Sequence, residues 1–127
     1  MTRVLLDTSV LIGTGVPADV EAAISVASLA ELHFGTLVAA DPDERALRAQ
    51  RLGVIEATFD PLPLDAAVAR EWGRLAAAVV ERGGQPRRRA VDLVIAATAN
   101  VHGVALVTAD TADLAIIDDL VDLRAAV

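Results

Sequence analysis

Short apolar runs alternate with longer segments of helical periodicity along this chain. The runs Val4–Leu6, Ala22–Ala27 and Val104–Val107 predict buried strands. Two further segments complete the strand pattern: Val121–Val127, and Thr58–Leu64, whose prolines favour a short edge strand. Because strands alternate with helical segments, the pattern predicts an α/β fold with a mostly parallel sheet.

The segments between the predicted strands have the pattern of helices. Asp41 and Asp65 are suitable N-caps, and Pro42 occupies a favourable first helical position. Loops are predicted at Gly13–Asp19 and Gly83–Arg89, where glycine and proline interrupt the periodic pattern. The predicted helices cover Ser28–Ala40, Pro42–Ala57, Asp65–Arg82 and Ala90–Val101.

Size and composition predict one domain that covers residues 1–127. The chain has 127 residues, of which 54% are hydrophobic, and its mean hydropathy is +0.50. No apolar stretch reaches the ~18 residues that a membrane span needs, and no secretory signal peptide is evident. The absence of cysteine excludes disulfides and metal ligation by thiolates. We therefore expect a cytoplasmic protein that does not bind membranes.

The charge balance is acidic: the net charge is −7, and all 11 basic residues are arginines. This balance argues against a passive nucleic-acid coat, but it is compatible with an enzyme that has an acidic site. The lack of lysine disfavours receiver-like signalling domains, which normally use one. A phosphatase of the haloacid-dehalogenase type is also disfavoured, because its second aspartate would fall at Ser9.

Four carboxylates occur where an apolar element meets a turn or where a helix begins: Asp7, Glu31, Asp92 and Asp110. In open parallel sheets the carboxyl ends of the strands meet at one edge, and ligands bind there. Carboxylates gathered at that edge repel one another unless a cation neutralises them. Oxygen ligands of this kind suit Mg²⁺ or Mn²⁺, and such a site catalyses phosphoryl chemistry.

These acids also have purely structural interpretations. Asp7 could cap the turn after the first strand, and Ser28-x-x-Glu31 fits a capping box. Asp110 and Asp113 could be ordinary turn and N-cap residues. The metal-site interpretation is favoured because a parallel sheet would bring all of these element ends into one cleft.

Three consecutive arginines precede the predicted helix that carries Asp92. Arg87, Arg88 and Arg89 form either an ordinary solvated stretch or a phosphate clamp beside the metal. Other chemistries have little support, because the chain contains neither a serine nucleophile elbow nor a phosphate-binding glycine loop.

Four motifs occur in a diagnostic order: Leu5-Leu6-Asp7-Thr8-Ser9-Val10-Leu11-Ile12, Ser28-Leu29-Ala30-Glu31-Leu32-x-x-Gly35, Asp92-Leu93-x-Ile95-Ala96-Ala97 and Leu106-Val107-Thr108-x-Asp110-x-x-Asp113. In this combination the chain resembles PIN-domain proteins, and VapC-type toxins of toxin–antitoxin pairs in particular. The resemblance implies a three-layer α/β/α PIN-like fold with a parallel sheet of about five strands in the order 3-2-1-4-5. It also implies an Mg²⁺-dependent endoribonuclease, for which Mn²⁺ can substitute. Such toxins are usually homodimeric and are held inactive by a VapB-like antitoxin.

The resemblance also assigns roles by position. Asp7 and Asp92 would be the principal metal ligands, and Glu31 and Asp110 would complete the catalytic acids directly or through water. Asp113 matches a second acid of the last motif, but leucine follows it where the family usually has phenylalanine, so its role stays open. Residues expected to hold ligands or substrate are the hydroxyls Thr8, Ser9 and Thr108 and the arginines Arg87, Arg88 and Arg89.

The sequence thus predicts a ribonuclease toxin in which metal-activated water attacks an RNA phosphodiester. The alternative is a non-catalytic PIN-like module that binds RNA or a protein partner. The complete set of acids argues against that alternative.

Overall fold

A parallel four-stranded sheet lies at the centre of the molecule, in a computed structural model that describes residues 2–13 and 19–126. The strands are β1 (Thr2–Leu6), β2 (Val20–Ala23), β3 (Ala105–Thr108) and β4 (Leu123–Ala125). Their order is β2-β1-β3-β4, and every pairing is parallel. The predicted α/β class is therefore confirmed. The predicted loop residues Gly15 and Pro17, and the end of the last predicted strand at Val127, lie outside the described residues.

The segment predicted as an edge strand, Thr58–Leu64, is reduced to one bridge. Leu62 pairs in parallel with Ser25, just beyond β2, which is the outermost place in the predicted strand order. Its N–H donates to the Ile24 carbonyl at 2.8 Å, and its own carbonyl accepts from the Val26 N–H at 3.0 Å. The residues on either side of Leu62 are prolines without an N–H, so the ladder cannot extend.

Five α-helices connect the strands: α1 (Thr8–Ile12), α2 (Val26–Val38), α3 (Pro42–Thr58), α4 (Ala66–Glu81) and α5 (Ala90–Val101). Two 3₁₀ segments, Pro86–Arg89 and Thr111–Ile117, precede α5 and follow β3. Asp41 and Asp65 cap α3 and α4 as predicted, each accepting from a backbone N–H three residues later. None of the helices in the described ranges is both long enough and apolar enough to span a membrane.

The start of α2 differs from the prediction. The helix begins at Val26, within the run that was predicted as a strand over Ala22–Ala27. Ser25 ends the extended segment because its hydroxyl oxygen accepts from the Ala27 N–H, which caps the helix. Ser28 is therefore an interior residue of α2 and not its cap.

Helices cover both faces of the sheet. Successive side chains along each strand point to opposite faces, so each strand contributes to two cores. Leu5 and Leu106 point to the face covered by α4 and α5, where they join a core that includes Leu75. Val4 and Leu6 point to the opposite face, into a core formed with α1, α2 and α3. The result is the three-layer arrangement that the resemblance implied.

Candidate active site

Asp7 lies at the carboxyl end of β1, the strand flanked by β2 and β3. Its backbone N–H donates to the Val107 carbonyl at 2.9 Å, which holds it beside the end of β3. Its carboxylate does not cap α1. Instead Oδ2 accepts from the hydroxyls of Ser9 at 2.7 Å and Thr108 at 3.0 Å. The cap interpretation therefore fails for Asp7, and two hydroxyls orient its side chain.

Glu31 is held by a hydroxyl from the turn that follows Asp7. Thr8 Oγ1 donates to Glu31 Oε1 at 2.6 Å and lies 2.9 Å from the buried Oγ of Ser28. The capping-box interpretation of Ser28 and Glu31 is wrong, because the helix starts one turn earlier. The sequence did not single out Ser28 as a support for the acids. Ser28 lies three residues before Glu31 and therefore on the same helix face, and this spacing could have indicated that it supports Glu31.

Asp92 occupies the first turn of α5 and makes no side-chain cap. Burial and the nearby charges of Asp7, Glu31 and Asp113 raise its pKa from 3.8 to about 6, while Arg89 acts in the opposite direction. Although the helix dipole favours a negative charge at this position, burial and the neighbouring carboxylates raise the pKa overall. The charges of Asp7, Glu31 and Asp113 therefore act on Asp92, which indicates that these carboxylates lie near it.

The two acids of the last motif occupy different environments. Asp113 is half-buried, acts on Asp92 through its charge and forms an ion pair with Arg89 at 3.0 Å. Asp110 is exposed and caps the following 3₁₀ segment, with Oδ1 accepting from the Ala112 N–H at 3.1 Å. The structure thus brings Asp113 to the acid cluster, which we define as Asp7, Glu31, Asp92 and Asp113, while Asp110 has a turn-capping contact.

The arginine segment lies beside this cluster. Arg88 and Arg89 line a cleft of about 320 Å³ together with Asp113 and Gly84. Arg87 is exposed. Arg89 is paired with Asp113. The side chain of Arg88, the other arginine of this cleft, has no partner among residues 2–13 and 19–126.

The acid cluster is chemically suited to a hard divalent cation, because every candidate ligand is a carboxylate oxygen. The nearby positive charge is also too small to compensate these carboxylates. Within the described ranges, no three acidic or histidine side chains already converge as a ligand group. Mg²⁺ does not require such a cage, because it usually keeps several waters and binds through one or two carboxylates. The residues present therefore suit a partly hydrated ion.

Comparison with known proteins places the chain in a family. A family model described as the PIN domain matches residues 4–120. Ribonuclease VapC5 of Mycobacterium tuberculosis is 39% identical over 123 residues, which cover 90% of this chain and 87% of the relative. Ribonuclease VapC4 of the same organism is 36% identical over 115 residues, covering 85% of this chain and 86% of the relative.

Solved structures agree with this placement. The chain matches a crystal structure of VapBC-5, a member of the VapBC family of toxin–antitoxin systems from Mycobacterium tuberculosis, with a TM-score of 0.83 and 35% identity over 98% of both chains. It matches FitAcB from Neisseria gonorrhoeae with a TM-score of 0.73 and 25% identity over 94% of this chain and 95% of the other. The chain belongs to the PIN-domain family, and within it to the VapC ribonucleases.

Proposed function

We propose that this protein is the toxin of a type II toxin–antitoxin pair, a metal-dependent endoribonuclease that a VapB-like antitoxin neutralises. The observation that supports this most strongly is the acid cluster at the carboxyl end of the sheet, in a chain whose relatives are named ribonucleases. PIN-domain ribonucleases generally depend on divalent metal. We propose Mg²⁺ as the ion, with Mn²⁺ as a substitute.

Each acid has a proposed role. Asp7 and Asp92 would hold the cation, and Glu31 and Asp113 would orient the attacking water and the hydrated ion. When bound, the cation supplies Lewis-acid stabilisation of the charge that develops on the phosphodiester. We place Asp113 before Asp110 as the fourth acid, because Asp113 acts on Asp92 whereas Asp110 caps a turn.

The hydroxyls and arginines support this chemistry. Ser9 and Thr108 fix the carboxylate of Asp7, and Thr8 fixes that of Glu31, so the acids are oriented before substrate binds. Arg88 and Arg89 are placed to attract the phosphate backbone of RNA next to Asp113.

We propose that the antitoxin binds exposed apolar side chains of α2. Phe34, Leu37 and Val38 are exposed on this helix, with Leu37 72% exposed, and Leu47 and Val54 are exposed on α3. Grouped apolar side chains on a surface mark protein–protein interaction sites. The related VapBC-5 was crystallised as a member of a toxin–antitoxin system, which supports a VapB-like occupant. We also propose that the toxin forms a homodimer, which size-exclusion chromatography with light scattering would test.

Cleavage of RNA by the purified protein tests the proposed activity. We expect cleavage with Mg²⁺, none with EDTA, and a loss of at least ~10²-fold in Asp92→Asn. Asp60→Asn, which changes an exposed acid outside the cluster, should cleave like the wild type. A wild-type protein that binds RNA without cleaving it under any divalent metal would instead support the alternative of a non-catalytic PIN-like binding module.

Antitoxin binding is tested separately from cleavage. Leu37→Asp should abolish capture of the VapB-like partner in co-expression while leaving metal-dependent RNA cleavage intact. Retained capture by the Leu37→Asp protein would move the antitoxin site to another surface.

A further inference from the structure

The arginines around the acid cluster differ in how they are paired. Arg48 donates to Glu44 Oε1 at 2.9 Å and to the Gly35 carbonyl at 2.7 Å. The side chain of Arg51, one turn later on α3, makes no hydrogen bond or ion pair with any residue that the structure describes, and its buried Nε has no partner. Buried donors normally find acceptors, so this one calls for an explanation.

Arg51 faces the acid cluster from the side of Glu31. It lines a groove of about 370 Å³ together with Thr8, Glu31 and Arg48. It also borders a neighbouring apolar groove that includes Phe59. Arg51 therefore borders both an apolar groove and the groove that contains Glu31.

An anion would satisfy this guanidinium. A buried donor left unpaired costs free energy, and that cost is recovered when an acceptor arrives. Arginine presents its N–H groups in a planar fork that matches the oxygens of a phosphate. The Arg51 groove and the Arg88 cleft share no lining residue: one ends at Glu31 and the other at Asp113.

RNA phosphate is the anion that the surroundings favour. The chain carries a net charge of −7, and its acid cluster repels a polyanion, so RNA binding needs cations that are not already neutralised. Of the two arginines in the Glu31 groove, Arg48 is already paired with Glu44, which leaves Arg51.

We propose that Arg51 binds an RNA phosphate next to the scissile one, on the Glu31 side of the acid cluster and across it from Arg88. The substrate strand then crosses the acids between two cationic contacts, one from α3 and one from the segment before α5. This inference rests on the proposed ribonuclease function and adds a substrate contact outside the acids.

RNA oligonucleotides that carry a neutral methylphosphonate at one linkage at a time provide the test. In the wild-type protein, one linkage beside the cleavage point should lower kcat/KM about tenfold or more when it is neutralised. Arg51→Gln should lower kcat/KM on unmodified RNA by a similar factor and should lose sensitivity at that linkage only, because the two changes remove the same contact.

Two further variants control the experiment. Arg3→Gln removes the same charge at the opposite end of β1 and should match the wild type at every linkage. Arg51→Lys keeps the charge, so the dependence of log Kd on log salt should stay unchanged, whereas Arg51→Gln should reduce that slope by about 0.7.

Three results overturn the proposal. The first is a wild-type protein that cleaves RNA but is insensitive at every linkage beside the scissile one, a result that requires no variant to fold. The second is an Arg51→Gln protein that keeps the wild-type pattern of sensitivity. The third is an Arg51→Gln protein that loses only antitoxin affinity, which would assign Arg51 to the protein partner. Failure of the proposed function is recognised separately, because the wild type would then leave unmodified RNA intact.

Discussion

The interior of the sheet and its carboxyl-end edge are adjacent but have opposite character. Inside, Leu5, Leu93 and Leu106 are almost completely buried among apolar neighbours. At the edge, Asp7 follows Leu6 and Asp92 precedes Leu93. Burial and the neighbouring carboxylates raise the pKa of Asp92 to about 6. The interior stabilises the fold, whereas the edge costs stability until something compensates its charge.

Hydroxyl groups and strand pairing hold the acidic edge in place. Ser9 and Thr108 fix Asp7 through hydroxyls, and the backbone of Asp7 continues the pairing of β1 with β3. The strands are rigid because their apolar residues pack on both faces, so the carboxylates keep their positions despite mutual repulsion.

The largest predicted effect concerns stability and contrasts a buried leucine of α5 with an exposed leucine that precedes α4. Leu93→Ala should lower the free energy of unfolding by about 2–5 kcal/mol, because it leaves a cavity in a fully packed core. Leu64→Ala, at a site that is 51% exposed, is the control and should change it little. Urea denaturation measures both. A small loss in Leu93→Ala would show that the interior is less tightly packed than its burial implies.

The two acids of the last motif, Asp110 and Asp113, should differ in how much their substitution reduces RNA cleavage. Asp113→Asn should reduce RNA cleavage at least about tenfold, because it removes a carboxylate that is proposed to orient the attacking water and the hydrated ion. Asp110→Asn should retain activity within a few-fold, since asparagine can still accept the capping N–H bond. A larger loss of activity in Asp110→Asn than in Asp113→Asn would assign the fourth catalytic position to Asp110.

Thr108 tests whether hydroxyls orient the acids. Thr108→Val removes the donor to Asp7 Oδ2 at nearly constant volume and should lower kcat about tenfold or metal affinity by a similar factor. Thr98→Val is a matched control, because Thr98 is equally buried but bonds the Val94 carbonyl within α5. Equal losses of activity in the two variants would contradict an orienting role.

The pH dependence of stability should differ between the metal-free wild type and Asp92→Asn. Burial and neighbouring carboxylates raise the pKa of Asp92 from 3.8 to about 6, so between these values the native state binds the proton more tightly than the unfolded chain. The wild type should therefore lose stability relative to Asp92→Asn as pH rises from about 4 to above 6. Chemical denaturation at a series of pH values measures this difference, and a constant difference would contradict the raised pKa.

Sequence patterns predicted the fold well where apolar runs were unambiguous. The strands around Val4–Leu6 and Val104–Val107 and the capped helices that begin after Asp41 and Asp65 were found close to their predicted positions. The strand predicted over Ala22–Ala27 was found at Val20–Ala23, because an apolar run does not reveal that Ser25 will begin a helix. The prediction overstated Thr58–Leu64, where two prolines allow only one bridge.

The candidate site was partly predictable for a related reason. Asp7, Glu31 and Asp92 were proposed because element ends converge at one edge of a parallel sheet, and their roles stay predictions. The choice between Asp110 and Asp113 depends on the turn of a 3₁₀ segment, which spacing alone does not specify. The pairing of Arg89 and the unpaired Nε of Arg51 depend on side-chain contacts between distant segments.

The carboxylate edge should cost stability until a divalent cation binds there. Thermal unfolding of the wild type and Asp92→Asn, with and without millimolar Mg²⁺ at pH 7.5, measures this cost and its relief. Without metal, Asp92→Asn should melt at or above the wild-type Tm; with Mg²⁺, the wild-type Tm should rise clearly more than that of the variant. A wild-type Tm that Mg²⁺ leaves unchanged, or raises equally in both proteins, would contradict the account.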